Sequence, residues 1–226
     1  MYNFIKLLLA FLFCIILSSC SKDNNFEKEL VEYKTENYSI NCENISFDKG
    51  DDFTLNLDIK KDIDFWISDF ETRVQDNKIK GTELANMQIR HKIYQNNEFL
   101  ISMVTQKYAY INGVHGNTWW KARNFDIKNN SYLSLSDLFY DDEYIKILNL
   151  TMEEMINQEP KKYHDLWEKP EIQTNSFSNF YIDGKHLVIF FEPYELSFYA
   201  KGIVEFPVDS TKLRGYMKEE YLKIMS

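Results

Sequence analysis

Leu7 to Leu17 is an unbroken apolar run of eleven residues, and it sets the conditions under which the rest of the chain must fold. A helix needs roughly 20 such residues to cross a hydrocarbon core of about 30 Å. A shorter run, preceded by Lys6 and followed by the small residues Ser18 and Ser19, reads as a secretory signal. Of the three cysteines, Cys14 leaves with that signal, Cys20 sits at its end, and Cys42 remains alone. A mature exported chain with one free thiol has no internal disulfide, and multi-cysteine metal sites are excluded by the same count. Stability has to come from an ordinary hydrophobic core.

The tetrapeptide Leu17-Ser18-Ser19-Cys20 resembles the bacterial lipobox, in which cleavage precedes the cysteine and lipid is added to its thiol. Each buried methylene contributes about 0.8 kcal/mol, so two or more acyl chains hold stably where one does not. The reading is a lipoprotein anchored through Cys20, facing the periplasm or the exterior, with residues 1–19 as signal and 20–30 as a flexible tether. Two lobes are expected beyond it, 31–128 and 129–216. The net charge of −9 argues against a nucleic-acid partner, because phosphates demand a Lys- and Arg-rich surface. An acidic surface instead favours a cationic partner, and steering would speed that encounter.

Periodicity predicts an α+β fold: antiparallel sheets with two main helices in two closely packed lobes. Tyr33–Ile40 and Phe53–Ile59 alternate like strands, and Ile63, Ile67, Phe70 and Val74 place a helix over 62–78, with Gly81 ending it. Strands over 88–94, 99–111 and 118–127 are separated by the turn Gln95–Glu98 and by the segment 112–117, forming a meander. A second helix starts near Ser136, where Asp137 is the expected N-cap, and carries Ile145, Leu148, Met152, Met155 and Ile156 on one face. Pro160 closes it, and 163–167 adds a short helical turn. Strands over 177–182, 187–191 and 203–208 end the pattern.

Two blocks carry a family pattern. One is Gly113-Val114-His115-Gly116-Asn117, followed by Leu133 to Phe139; the other is Pro193-Tyr194-Glu195, followed by Tyr199-Ala200-Lys201-Gly202. In this order, over about Val31 to Gly215, they resemble the extracellular domain pair of RsiV-type lysozyme-sensing anti-sigma factors. The same pair forms the non-catalytic N-terminal region of PdaC-type peptidoglycan deacetylases. The resemblance implies a recognition module for lysozyme or another cell-wall-associated protein. Peptidoglycan itself is the alternative ligand, and an envelope glycan-modifying enzyme is the rival of a different class. Neither a sigma-binding segment nor the paired Asp and His ligands of a deacetylase domain is legible, so no catalytic residue, metal or cofactor is expected.

The candidate ligand-binding residues are His115, Asn117, Trp119, Pro193, Tyr194, Glu195 and Tyr199. His115 between two glycines is better suited to fixing a turn than to proton transfer. Trp119 and Trp120, adjacent in a strand, must face opposite sides, so one is core and the other a possible sugar platform. Glu192 and Glu195 are spaced for acid/base work, yet a fixed loop displaying Pro193, Tyr194 and Tyr199 suits contact better. Asp51-Asp52 and Asp141-Asp142-Glu143 read as solvated turn charges.

Overall fold

The computed structural model describes residues 17–18, 25–50, 52–77, 84–173 and 177–225. Cys20, residues 21–24 of the expected tether, Asp51 and Gly81 lie outside the described residues. The chain divides into two compact units: residues up to Asp52 with Asn56–Arg90 and Lys107–Asn117, and Phe53–Leu55 with His91–Gln106 and Thr118–Ser226. The expected lobes were a linear division at 128–129; these units instead interleave, because two long strands each give residues to both.

In the first unit, strand β2 (Phe26–Lys34) pairs antiparallel with β3 (Tyr38–Phe47), and the two-residue β1 (Leu17–Ser18) pairs with β2 at Leu30 and Glu29. The span read as one strand, 33–40, is therefore two, joined at a turn where the Thr35 hydroxyl oxygen accepts the backbone N–H of Asn37 and Tyr38. Residues 26–30, expected in the tether, are ladder residues of β2. Strand β3 then pairs in parallel with the first half of β4 (Ala85–Asn96), from Tyr38 opposite Ala85 to Cys42 opposite Ile89. This is a departure from the all-antiparallel expectation. A parallel pair needs a long crossover, and helix α1 (Thr54–Asp76) supplies it.

Helix α1 absorbs all but Phe53 of the segment 53–59 that alternation marked as a strand. Leu55 and Ile59 continue the helical stripe of Ile63, Phe70 and Val74 into the core, whereas Leu57 is 53% exposed. Burial of one 3.6-period face outweighs a local period of two. At its start the Asn56 side chain brackets one residue of β3: Oδ1 accepts Phe47 N–H at 2.9 Å and Nδ2 donates to Phe47 O at 2.8 Å. Further along, the Tyr38 hydroxyl donates to Glu71 Oε1 at 2.6 Å; burial and that carboxylate push the phenol up to about 12.

The second unit carries the meander, in order β4, β5 (Leu100–Tyr110), β6 (Asn117–Asp126) and β7 (Ser131–Tyr132), and a three-stranded antiparallel sheet β10–β9–β8. The latter is built from β8 (Phe180–Asp183), β9 (His186–Phe191) and β10 (Val204–Asp209). One face of the small sheet, with Phe180, Ile182, Ile189 and Phe206, packs against Leu148 and Met152 of helix α2 (Glu143–Gln158). The other face, Tyr181, Val188 and Phe190, packs on Val104 of β5 and Trp120 of β6. A closed set of buried bonds ties the two sheets: Ser102 Oγ donates to Asn124 Oδ1 (2.7 Å), Asn124 Nδ2 donates to Phe180 O (2.8 Å), and Ile182 N–H donates to Ser102 Oγ (2.8 Å). Buried Arg123 donates to Thr105 Oγ1 at 2.7 Å, and His91 Nδ1 shares a hydrogen bond of 3.0 Å with the same hydroxyl.

Asp137 is not the cap of α2. It lies in a 3₁₀ turn, Ser136–Leu138, and its Oδ2 accepts from both the backbone N–H and the hydroxyl of Ser134. Asp141 performs the helix-start role instead, accepting Glu143 N–H at 3.0 Å. Residues 163–167 form no helix; Tyr163 is drawn into the core by stacking on Phe206, with centroids 4.7 Å apart. A short helix α3 (Glu219–Ile224), unread in the sequence, ends the described chain. Among the described residues, no helix is long and apolar enough to cross a membrane.

Two outcomes follow from this arrangement. Replacing Asn56 with Ala removes both bonds to Phe47 and should lower stability by about 1–3 kcal/mol, read as a reduced urea midpoint with an unchanged slope. Burial pushes the Cys42 thiol up to about 12. It stays protonated at pH 8, so a native chain starting at Ser21 should resist iodoacetamide and take up one equivalent only after urea unfolding.

Candidate functional site

The loop that leaves β9 is built around a turn from Glu192 to Glu195, closed by Glu195 N–H donating to Glu192 O at 3.1 Å. Pro193 supplies the second position and Tyr194 the third, with a Tyr194 φ of 74°. Proline followed by positive φ is the pattern of a type II turn, whose third residue is ordinarily Gly or Asn. A tyrosine there costs on the order of 1 kcal/mol in backbone strain. Its ring is 57% exposed and lies 5.8 Å, centroid to centroid, from half-buried Tyr199.

Both acids of this loop are engaged with backbone. Glu192 Oε1 accepts the Trp120 N–H at 2.8 Å, and Glu195 Oε2 accepts the Glu192 N–H. The arrangement fixes a turn and clamps it to β6. A pair of carboxylates flanking a substrate bond, as acid/base chemistry requires, is not what these contacts build.

A second loop, unread as a site in the sequence, is held against the first. Trp167 N–H donates to Leu196 O (2.9 Å), Ser197 Oγ donates to Asp165 O (2.6 Å), and Lys201 Nζ donates to the carbonyls of Lys162 (2.8 Å) and His164 (3.0 Å). Asp165, like Tyr194, has a positive φ, 64°. The result is a paired-loop surface that displays Trp167 (54% exposed), Tyr194 and Phe198 (43%). The available sequence signal was an isolated tryptophan in the polar stretch Lys161–Lys169.

Trp119 and Trp120 do face opposite sides. Trp120 packs edge-on to Phe190, with centroids 5.5 Å apart, and Trp119 is 37% exposed. Of the expected residues, Pro193, Tyr194, Glu195 and Tyr199 therefore share one loop, and Trp119 sits one residue from its clamp. His115 and Asn117 belong to the first unit. His115 Nδ1 donates to Gly116 O at 2.8 Å, a turn-fixing contact, and Asn117 is exposed. The two glycines differ in purpose: Gly113 has φ 116°, whereas Gly116 gives room to the Tyr108 ring, which any Cβ there would strike. Among the described residues, no three His, Cys, Asp or Glu side chains are grouped as a metal site.

The clamp can be weighed directly. Glu192→Ala leaves the Trp120 N–H without its carboxylate and should cost about 2 kcal/mol in chemical denaturation. Glu195→Ala, at the exposed end of the turn, should cost about half of that.

Comparison with known proteins agrees with this fold. Residues 136–210 match the family model described as Protein of unknown function (DUF3298). Over 198 residues the chain is 25% identical to the peptidoglycan-N-acetylmuramic acid deacetylase PdaC of Bacillus subtilis, covering 84% of this chain and 40% of that protein. The chain thus spans two fifths of the length of that relative. A crystal structure of a DUF3298 family member from Bacteroides fragilis superposes with a TM-score of 0.69 at 15% identity, over 90% of this chain and 98% of that one. Another, from Pseudomonas aeruginosa, gives 0.64 at 15% identity, over 87% and 95%. These structures share the fold. Over most of its length the chain is an α+β module of the kind seen in these DUF3298 proteins, and it is similar to PdaC.

Proposed function

We propose that this chain is a non-catalytic recognition module of the cell envelope, anchored by lipid on Cys20, that binds lysozyme or another cell-wall-associated protein through its paired loops. The observation that carries this reading is Tyr194. A large aromatic occupies a position where glycine would relieve strain, and its ring is turned to solvent rather than to the core. Strain held at an exposed aromatic marks a residue retained for contact, and aromatics are the usual anchors of protein interfaces. The net charge of −9 supports a cationic partner such as a muramidase. Similarity to a peptidoglycan deacetylase supports the envelope setting. Direct attachment to peptidoglycan, with Trp119 as a stacking platform, is the second reading, favoured by the exposure of that ring.

The chain from Ser21 contains every buried core residue of both units, so it is the form to test. Calorimetry with lysozyme should show saturable binding that weakens as salt is raised. Tyr194→Gly should raise stability by about 1 kcal/mol while reducing affinity at least tenfold, separating the fold's preference from the partner's. Absence of lysozyme binding at any salt removes that partner. Co-sedimentation of the same protein with purified sacculi would then favour the peptidoglycan reading.

A further inference from the structure

Within the first unit, β2, β3 and α1 line a groove of mixed apolar and polar character. Two adjoining clefts of about 330 Å³ and 320 Å³ make it up, sharing Tyr33, Asp64 and Ile67. Its walls are Val31 on β2 and Leu57, Ile63 and Ile67 on α1, with Cys42 and Ile40 of β3 beneath. The Cys42 thiol, kept neutral by burial, behaves there as a small hydrophobe. From Asn56 to Glu71 the lining follows one helical face for about 22 Å. Both ends are pinned, one by the Asn56 bracket on Phe47 and the other by the Tyr38–Glu71 bond. Asn44, Ser46 and Ser68 and the charged groups Lys60, Asp64 and Glu71 line it alongside the apolar residues, so an occupant has to lie along the stripe of Val31, Leu57, Ile63 and Ile67.

The occupant can be argued from where the chain enters. Asn25 O accepts the Asp48 N–H at 2.9 Å, and Phe26 pairs with Phe47, the residue that Asn56 brackets at the mouth of the groove. Cys20 precedes Asn25 by five residues, a span of at most about 17 Å. An acyl chain crosses one leaflet, about half of a 30 Å hydrocarbon core, so the groove is long enough to hold one. We propose that this groove shelters one acyl chain of the lipid carried on Cys20, with the remaining chains left in the membrane. A triacylated cysteine that commits one chain keeps two, which still anchor stably. The inference rests on the lipid of the proposed function and not on its partner.

Mass spectrometry of the membrane-extracted chain first establishes the lipid on Cys20; a bare cysteine overturns the inference while leaving partner binding to its own test. Palmitate is then the probe, read by calorimetry. The chain from Ser21 should take up one equivalent, Leu57→Glu and Ile67→Glu should each weaken uptake at least tenfold, and the lipidated chain in detergent should take up none. Leu57 is largely exposed, so its substitution leaves the fold in place, which circular dichroism confirms. No uptake by the Ser21 form, uptake indifferent to both glutamates, or equal uptake by the lipidated form would each overturn it.

Discussion

Two side chains hold the second unit together in a way that apolar packing does not. Ser102 and Asn124, on neighbouring strands of the meander, bond to each other and reach across to the backbone of β8 at Phe180 and Ile182. Burial makes these bonds obligatory, since an unpaired polar group in that position costs on the order of 1–3 kcal/mol. Packing of Tyr181, Val188 and Phe190 tolerates small slides of one sheet over the other. Directional bonds to two alternate residues of one strand do not. Register between the sheets is thereby set, and with it the distance over which Glu192 must reach from the end of β9 to Trp120 on β6.

From that register the character of the paired-loop surface follows. A carboxylate that caps a neighbouring strand's N–H is a structural group, and the loop's second acid closes its own turn. Facing solvent are the aromatics Tyr194, Phe198 and Trp167, together with the exposed His164–Asp165 ion pair. Such a surface offers contact area and shape, which is what the proposed recognition role draws on.

Much of this was legible in the sequence, and the failures have identifiable physical causes. The meander was found because its strands alternate and their turns carry Asn and Gly; α2 was found because its apolar residues keep helical spacing. The first turns of α1 were misread because Phe53, Leu55, Leu57 and Ile59 satisfy a period of two, and only the core reveals that Leu57 points elsewhere. The first five residues of β2, 26–30, were taken for tether because three of them are charged, as suits a strand near a sheet edge. The pairing of β3 with β4 was illegible because no local pattern distinguishes a parallel partner. In the site, the Pro193-Tyr194 block drew attention correctly, but Trp167 and the loop that carries it depend on hydrogen bonds between segments some thirty residues apart in sequence.

The Lys201 ammonium, spent on two carbonyls of the opposite loop, has a kinetic consequence. Loops already fastened to each other lose little further freedom when a ligand arrives, so the cost of ordering is met during folding rather than at encounter. Association would then proceed at the pace set by diffusion and charge, and differences among ligands would appear mainly in how long each one stays.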